Sequence, residues 1–257
     1  MKKAIIIASF GCSIKESRQK YIETIENAVK NEFENIDCFR VFTSEIIRKK
    51  IYREENIFID NMELALKKLK DNNYTHVYIL SSHIIPGFEY EKILNAANEC
   101  KNNFEEIKVT RTFLDDEMGE KEILAVKSYI KTDIHSDEAI VLVGHGSDHI
   151  SHKYYKNFEN LLNKDIENIF IINVEGDTYM DEAANSLKEK KIKKVYIYPF
   201  MVVAGDHALN DIASDEDDSI KSYFIKNGFE AEAFITGLGN NKNTVELFVE
   251  RLNDCMN

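Results

Sequence analysis

The chain says one thing twice. Short apolar runs alternate with helical stretches, and the second half repeats the grammar of the first. "KKAIIIASF", "IDCFRVFTS", "THVYILSSHII" and "KVTRTFL" read as strands. Between them, "SRQKYIETIENAVKNEF" places Tyr21, Ile22, Ile25, Ala28, Val29 and Phe33 close to a 3.6-residue period. "MELALKKLKDN" and "EYEKILNAANECK" read as further helices. Strands that alternate with helices specify an α/β fold, a parallel sheet with helices on both faces. In the second half "EAIVLVGHG" matches "KAIIIASFG", each ending in glycine, Gly146 and Gly11. "MDEAANSLKEKKIKKVYI", from Met180, lies without a gap over "MELALKKLKDNNYTHVYI", from Met62, a shift of 118. Carried on, that shift sets "FMVVAGDHAL" against "SHIIPGFEYE" and Gly205 against Gly87. The expectation is a duplicated unit: two similar lobes, residues 1–126 and 127–257. A polar connection across 116–137 joins them and contains a crossing helix.

In open parallel sheets, ligands bind beyond the carboxyl ends of the strands. The duplication identifies the residues at those ends. The first half has Phe10 and Glu89; the second half has His145 and His207 at the matching positions. Both histidines neighbour a glycine, which lets the backbone turn tightly and leaves room for a bulky ligand. Glu175 closes the strand "NIFIINVE" between them in sequence. A histidine, glutamate and histidine set suits Co(II), Ni(II), Fe(II) or Zn(II), and suits Mg or Ca poorly. No thiolate takes part, so open and exchangeable coordination fits better than structural zinc. His83, also near a strand end, reads equally well as cleft lining or as a satisfied core residue. His149 and His152, four and seven residues after His145, read as one face of an exposed amphipathic helix. His76 and His135 read as surface, and "DEDD" (Asp215 to Asp218) as a solvated helix start.

Charge and motifs exclude several other classes. The chain carries 33 basic and 45 acidic side chains, net −12, which argues against nucleic acid and against an anionic membrane as the main partner. The local run "RKKIYR" (Arg48 to Arg53) reads as a solvated helix face. Cys12, Cys38, Cys100 and Cys255 are scattered and form no C-x-x-C pair, which fits a reducing cytosol. At the start, "MKKAIIIASFGCS" has a continuous apolar stretch only from Ala4 to Ala8, too short for a signal peptide and suited to a strand. No run approaches the roughly 20 apolar residues of a membrane span, so a cytoplasmic location is expected. There is no G-x-x-x-x-G-K-[ST] and no G-x-S-x-G, and "GLGNNKNT" lacks the third glycine of a dinucleotide fingerprint. No nucleotide is expected.

The segments "ASFGCS", "FTSEIIRKK", "SHIIPGFEYEK", "VGHG" and above all "PFMVVAGDHALNDIASDEDDS" resemble the anaerobic sirohydrochlorin cobaltochelatases, the class II chelatases of cobalamin synthesis, nearly from end to end. The resemblance implies two ferrochelatase-like lobes with a cleft between them. It implies ATP-independent insertion of Co(II) into sirohydrochlorin, or its precorrin-2 relative, with release of two protons. By motif, the family's metal ligands fall on His145, Glu175 and His207, and its catalytic base on His145. "VEGDTY" lacks the proline expected shortly after the glutamate. A neutral imidazole can both hold a metal and accept a proton. Glu89 is the candidate to relay the second proton. Phe10, His83, Glu89, Val202, Val203, Ala204 and Gly205 are the candidate substrate contacts. The substrate is rich in carboxylates while the protein is acidic, so local cations are expected in the cleft, with Arg18, Lys15 and Arg48 as candidates. Two alternatives stay open: a chelatase for Fe(II) or Ni(II) on the same tetrapyrrole, and a metal or tetrapyrrole binding protein without turnover. A homo-oligomer is compatible with the sequence.

Overall fold

Eight strands form two sheets in the computed structural model, which describes residues 1–257. β1 (Lys3–Ser9), β2 (Asp37–Phe42), β3 (His76–Ser81) and β4 (Glu106–Val109) build the first sheet, in the order β2-β1-β3-β4. β5 (Glu138–Gly146), β6 (Ile169–Glu175), β7 (Lys194–Pro199) and β8 (Glu230–Ala233) build the second, in the order β6-β5-β7-β8. Every ladder is parallel. In the first half the helices are α1 (Lys15–Ser17), α2 (Glu23–Glu32), α3 (Glu45–Glu55), α4 (Met62–Asp71), α5 (Phe88–Cys100) and α6 (Glu120–Tyr129). The second half has α7 (Lys153–Leu162), α8 (Met180–Glu189), α9 (Ile220–Lys226) and α10 (Lys242–Met256). No helix is long and apolar enough to cross a membrane.

The duplication read from the sequence is a duplication of register. Lys3 faces His76 and His76 faces Glu106; in the second sheet Glu138 faces Lys194 and Lys194 faces Glu230. β3 and β7 start 118 residues apart, as do α4 and α8. The ladders also equate Phe10 with His145 and Ser44 with Glu175, since Ser9 pairs with Phe42 where Gly144 pairs with Asn173.

Strand alternation sends each sheet's side chains to two cores. Ala4, Ile6, Ala8, Val77 and Ile79 face α4 and α5 on the outer side of the first sheet. Val141, Val143, Val195 and Ile197 face α8 and α9 on the outer side of the second. The inner faces meet. Ile5, Ile7, Tyr78 and Leu80 share one core of 29 residues with Ile140, Leu142, Tyr196 and Tyr198. Phe113, from the first half, sits edge-on to Phe158, Phe200 and Phe248 of the second. Truncating one such buried side chain to alanine costs about 2–5 kcal/mol.

The expected crossing helix is α6, and residue 126 lies within it. α10, at the end of the chain, returns to the first half and packs on α2, α6 and β3. Arg251 on α10 is buried, pairs with Glu122 on α6 and donates to the carbonyl oxygens of Thr112 and Phe113.

One edge of each sheet is covered. On edge strand β6, the Ile171 amide donates to Glu159 Oε2 (2.6 Å), and Asn163 both donates to the Ile169 carbonyl and accepts from its amide. On the matching edge β2, the Phe42 amide donates to the Asp60 carbonyl (3.2 Å). These contacts block continuation of each sheet at that edge by another chain.

Candidate active site

The carboxyl ends of the two sheets face each other, and the side chains there converge. Phe10 and His145, from equivalent strand ends, have ring centroids 6.4 Å apart. His145 and His207 stand perpendicular, with centroids 4.8 Å apart. Their side chains are 40% and 41% exposed, open enough for a ligand.

Each imidazole is anchored through Nδ1. In His145, Nδ1 lies 3.2 Å from the Gly146 carbonyl oxygen. In His207, Nδ1 lies 2.5 Å from Asp211 Oδ2. A carbonyl and a carboxylate can only accept, so in each neutral ring Nδ1 carries the proton and Nε2 keeps a free lone pair. Neither Nε2 has a hydrogen-bond partner in the protein. Glu175 Oε2 lies 3.8 Å from His145 Nδ1, on the anchored side of that ring, and its side chain is 59% exposed. The three side chains therefore do not form a ready-made three-donor cluster; Glu175 must swing to join an ion held by the Nε2 atoms.

Local backbone explains the placement. Gly146 has φ +86° and lies so close to β6 that an added Cβ would fall 1.9 Å from the Glu175 carbonyl oxygen. The strand ends of His145 and Glu175 can approach this closely only with glycine between them. His207 precedes a π-turn, Ala208–Ile212, closed by the Ala213 amide on the Ala208 carbonyl (3.2 Å). The first lobe holds that segment: Ser17 Oγ donates to the Ala204 carbonyl (2.8 Å), and Tyr21, in a second π-turn at Arg18–Ile22, packs on Ala204 and Ala208. π-turns recur at functional sites.

The other candidates are placed as follows. Val202 and Ala204 turn their side chains into packed interior and offer the cleft only backbone, whereas Val203 and Gly205 are half-buried. His83 engages both ring nitrogens, with Ser81 Oγ at 2.9 Å and Thr43 Oγ1 at 3.4 Å. Burial pushes it down to about 4 against the opposing pull of Glu89, with Lys92 lowering it further. His83 is thus a satisfied, neutral residue of the first lobe. Glu89 stands in the first turn of α5; Oε1 is bound to Lys92 (2.5 Å), and Oε2 is buried without a partner. It makes no contact with the imidazole pair.

Three expectations need correction. His149 and His152 do not lie on an exposed helix face. His152 is buried, accepts from the Ser147 amide and contacts the Asp177 carbonyl; His149 meets Glu91 (3.0 Å) and the Phe88 ring of the first lobe. His76, expected on the surface, is half-buried in β3. Arg18 is not a cleft cation: it is buried, binds the Cys12 carbonyl and pairs with Glu55 at 2.6 Å. Lys15 is exposed. Arg48 differs from the other five arginines. Those are all ion-paired, whereas Arg48 has no ion pair and its Nε is buried without a partner. It lies one turn into α3, whose N-cap Ser44 is the counterpart of Glu175. The sequence reading missed Asp211, although a histidine and an aspartate four apart in "HALND" are legible as a pair.

A hollow of about 490 Å³ over the edge of β6, lined by Lys156, Glu159, Phe170 and Tyr179 among others, lies away from the imidazole pair.

Residues 3–257 match the model of the family described as cobalt chelatase (CbiK). The chain is 32% identical to the sirohydrochlorin cobaltochelatase of Salmonella typhimurium (strain LT2), over 100% of this chain and 97% of that one. It is 26% identical to the sirohydrochlorin cobaltochelatase CbiKC of Nitratidesulfovibrio vulgaris (strain Hildenborough), over 98% and 89%. Among solved structures, SirB from Bacillus subtilis with Fe3+ superposes with a TM-score of 0.65 at 15% identity, covering 99% of this chain and 96% of that one. The SirB sirohydrochlorin chelatase of Bacillus subtilis subspecies spizizenii, in complex with cobalt, gives 0.62 at 14%, covering 99% and 95%. At those identities the two SirB structures establish the chelatase fold.

Proposed function

The chain belongs to the cobalt chelatase family, and on that premise we propose that it inserts Co2+ into sirohydrochlorin without ATP, releasing two protons, in the anaerobic route to cobalamin. The ion is a substrate here. The Nε2 atoms of His207 and His145 receive it, and Glu175 joins from the rim once its side chain rotates. His145 then gives up its share of the ion and accepts a proton from a pyrrole nitrogen as the macrocycle nitrogens take over coordination. Phe10, across the cleft, packs on the flat face of the ring. Arg48 is the cation we assign to a substrate carboxylate, since guanidinium binds carboxylate in a matched fork. That assignment answers the mismatch between an acidic protein and an acidic substrate: the charge that matters is local and unpaired.

One observation carries this reading. Two perpendicular imidazoles stand 4.8 Å apart beyond two strands of the second sheet, each anchored at Nδ1 and each with a free Nε2. The test is spectroscopic. Sirohydrochlorin should change its visible spectrum to that of the cobalt complex when Co2+ and protein are added, and His145→Ala should abolish the conversion. Tight binding of sirohydrochlorin with no metalation by the unmodified protein would mark a carrier instead. Imidazole and carboxylate also suit Fe2+ and Ni2+, so competition among the three ions sets the metal.

A further inference from the structure

The two imidazoles differ in what stands behind them. His145 is backed by a neutral backbone carbonyl at 3.2 Å, and His207 by a carboxylate at 2.5 Å. We propose that Asp211 is a positioning residue that dedicates His207 to holding the metal ion, leaving His145 the freer of the two to exchange metal for a proton. The proposal rests on the chelatase reading above and divides its labour between the two histidines.

Four observations support it. First, the His207 side chain is 41% exposed, so packing does not fix its ring; the bond to Asp211 does. With Nδ1–H committed to the carboxylate, the ring has one tautomer and one free donor atom, Nε2. Second, a carboxylate behind a ligating imidazole makes the distal nitrogen a stronger donor, which a carbonyl does less well because it carries no charge. Third, the competing carboxylate on the same segment is occupied, since Asp206 Oδ1 accepts from Asn210 Nδ2 (3.1 Å). Fourth, the device exists in one lobe only. The 118-residue shift places Ile93 opposite Asp211, and Ile93 is fully buried against the outer face of the first sheet. The lobe without the imidazole pair has an apolar residue at this place in the shift, and the lobe with the pair has a charge.

The π-turn gives the pair its frame. Ala208–Ile212 is closed by an i→i+5 bond; from the first lobe Tyr21 packs on Ala208, and Ser17 holds Ala204 just before the turn. His207 and Asp211 thus project from a segment held by the first lobe on one side and by burial of Ile212 in the outer core of the second sheet on the other.

The experiment compares Asp211→Ala and Asp211→Asn with the unmodified protein, in steady-state kinetics and in direct titration with Co2+ followed by visible absorption. Outer partners of metal-bound histidines contribute about 10–100-fold to metal affinity. Asp211→Ala should therefore raise KM for Co2+ and the Co2+ dissociation constant by about that factor, with a much smaller change in KM for sirohydrochlorin. Asp211→Asn, whose amide oxygen still accepts from Nδ1–H, should recover part of the loss. Asp211→Ala binding Co2+ as tightly as the unmodified protein would overturn the proposal. So would a loss spread equally over both KM values together with a lowered Tm, which marks a structural role. Failure of the chelatase reading looks different: the unmodified protein would then bind Co2+ but never metalate sirohydrochlorin, and the titration would still decide the part played by Asp211.

Discussion

The same three strand ends carry Phe10, Ser44 and Glu89 in one lobe and His145, Glu175 and His207 in the other. At the first of these places the backbone is alike, down to a glycine of positive φ after Phe10 and after His145, Gly11 and Gly146. The chemistry is not alike. The first lobe offers an aromatic wall, a helix cap and a carboxylate tied to Lys92; the second offers two free imidazole nitrogens. A duplicated scaffold therefore fixes where a site can be, and single side chains decide which copy holds it. Only their meeting at 6.4 Å, Phe10 against His145, turns the two ends into one cleft.

The contrast can be broken most directly at its first pair. His145→Ala should lower kcat/KM by about 10²–10⁴-fold, the usual worth of a general base. Phe10→Ala, at the equivalent position, should act mainly on KM for sirohydrochlorin. Equal losses in kcat would end the distinction between wall and working lobe. Next come the paired glycines, read by Tm or urea midpoint. Gly146→Ala forces a methyl group against the Glu175 carbonyl at 1.9 Å in a left-handed backbone and should cost about 3 kcal/mol or more. Gly11→Ala meets only the Phe42 and Ile47 side chains, nearest approach 2.7 Å, and should cost about 1–2 kcal/mol. A reversed order would mean that the first lobe is the more tightly built at its strand end.

A smaller effect separates the lobes by pH. His83 belongs to the first lobe, and its counterpart at the 118 shift is Met201, which does not titrate. Burial holds His83 at about 4 in the folded chain, against about 6.5 when unfolded. As pH falls below about 6.5 the unfolded chain takes up a proton that the folded chain refuses, so stability drops until pH passes about 4. The loss is at most about 3 kcal/mol. His83→Gln should flatten urea-derived stability in that window relative to the unmodified protein; an unchanged slope would show that other groups set it. The smallest expected change is at Glu89. If it relays the second proton, Glu89→Gln should slow turnover a few-fold, and full turnover would remove it from the mechanism.

Much of this was legible in the sequence because it is carried by period and repetition. The strands announce themselves as apolar runs, and the shift from Met62 to Met180 proves to be the offset between β3 and β7. His145 and His207 meet because strand ends of a parallel sheet have a common side, and Phe10 joins them because the matching side of the first sheet faces it. What escaped depends on partners distant in sequence or on differences too small for a period to show. Arg18 is consumed by Glu55, 37 residues away. His152 is buried because the segment after Gly146 turns in to meet Asn173 and Asp177. Five residues of π-turn cannot be told from α-helix by periodicity. The destination of α10 was hidden as well, since an amphipathic stripe does not say which of two similar sheets it will cover.

The inner faces of both sheets close on one core, tied further by Arg251 and Glu122. Cut the chain in two and each half would present an oily wall to water: Ile5, Ile7, Tyr78 and Leu80 on one piece, Ile140, Leu142, Tyr196 and Tyr198 on the other. The repeats have surrendered their independence: what began as two copies now stands or unfolds as one body.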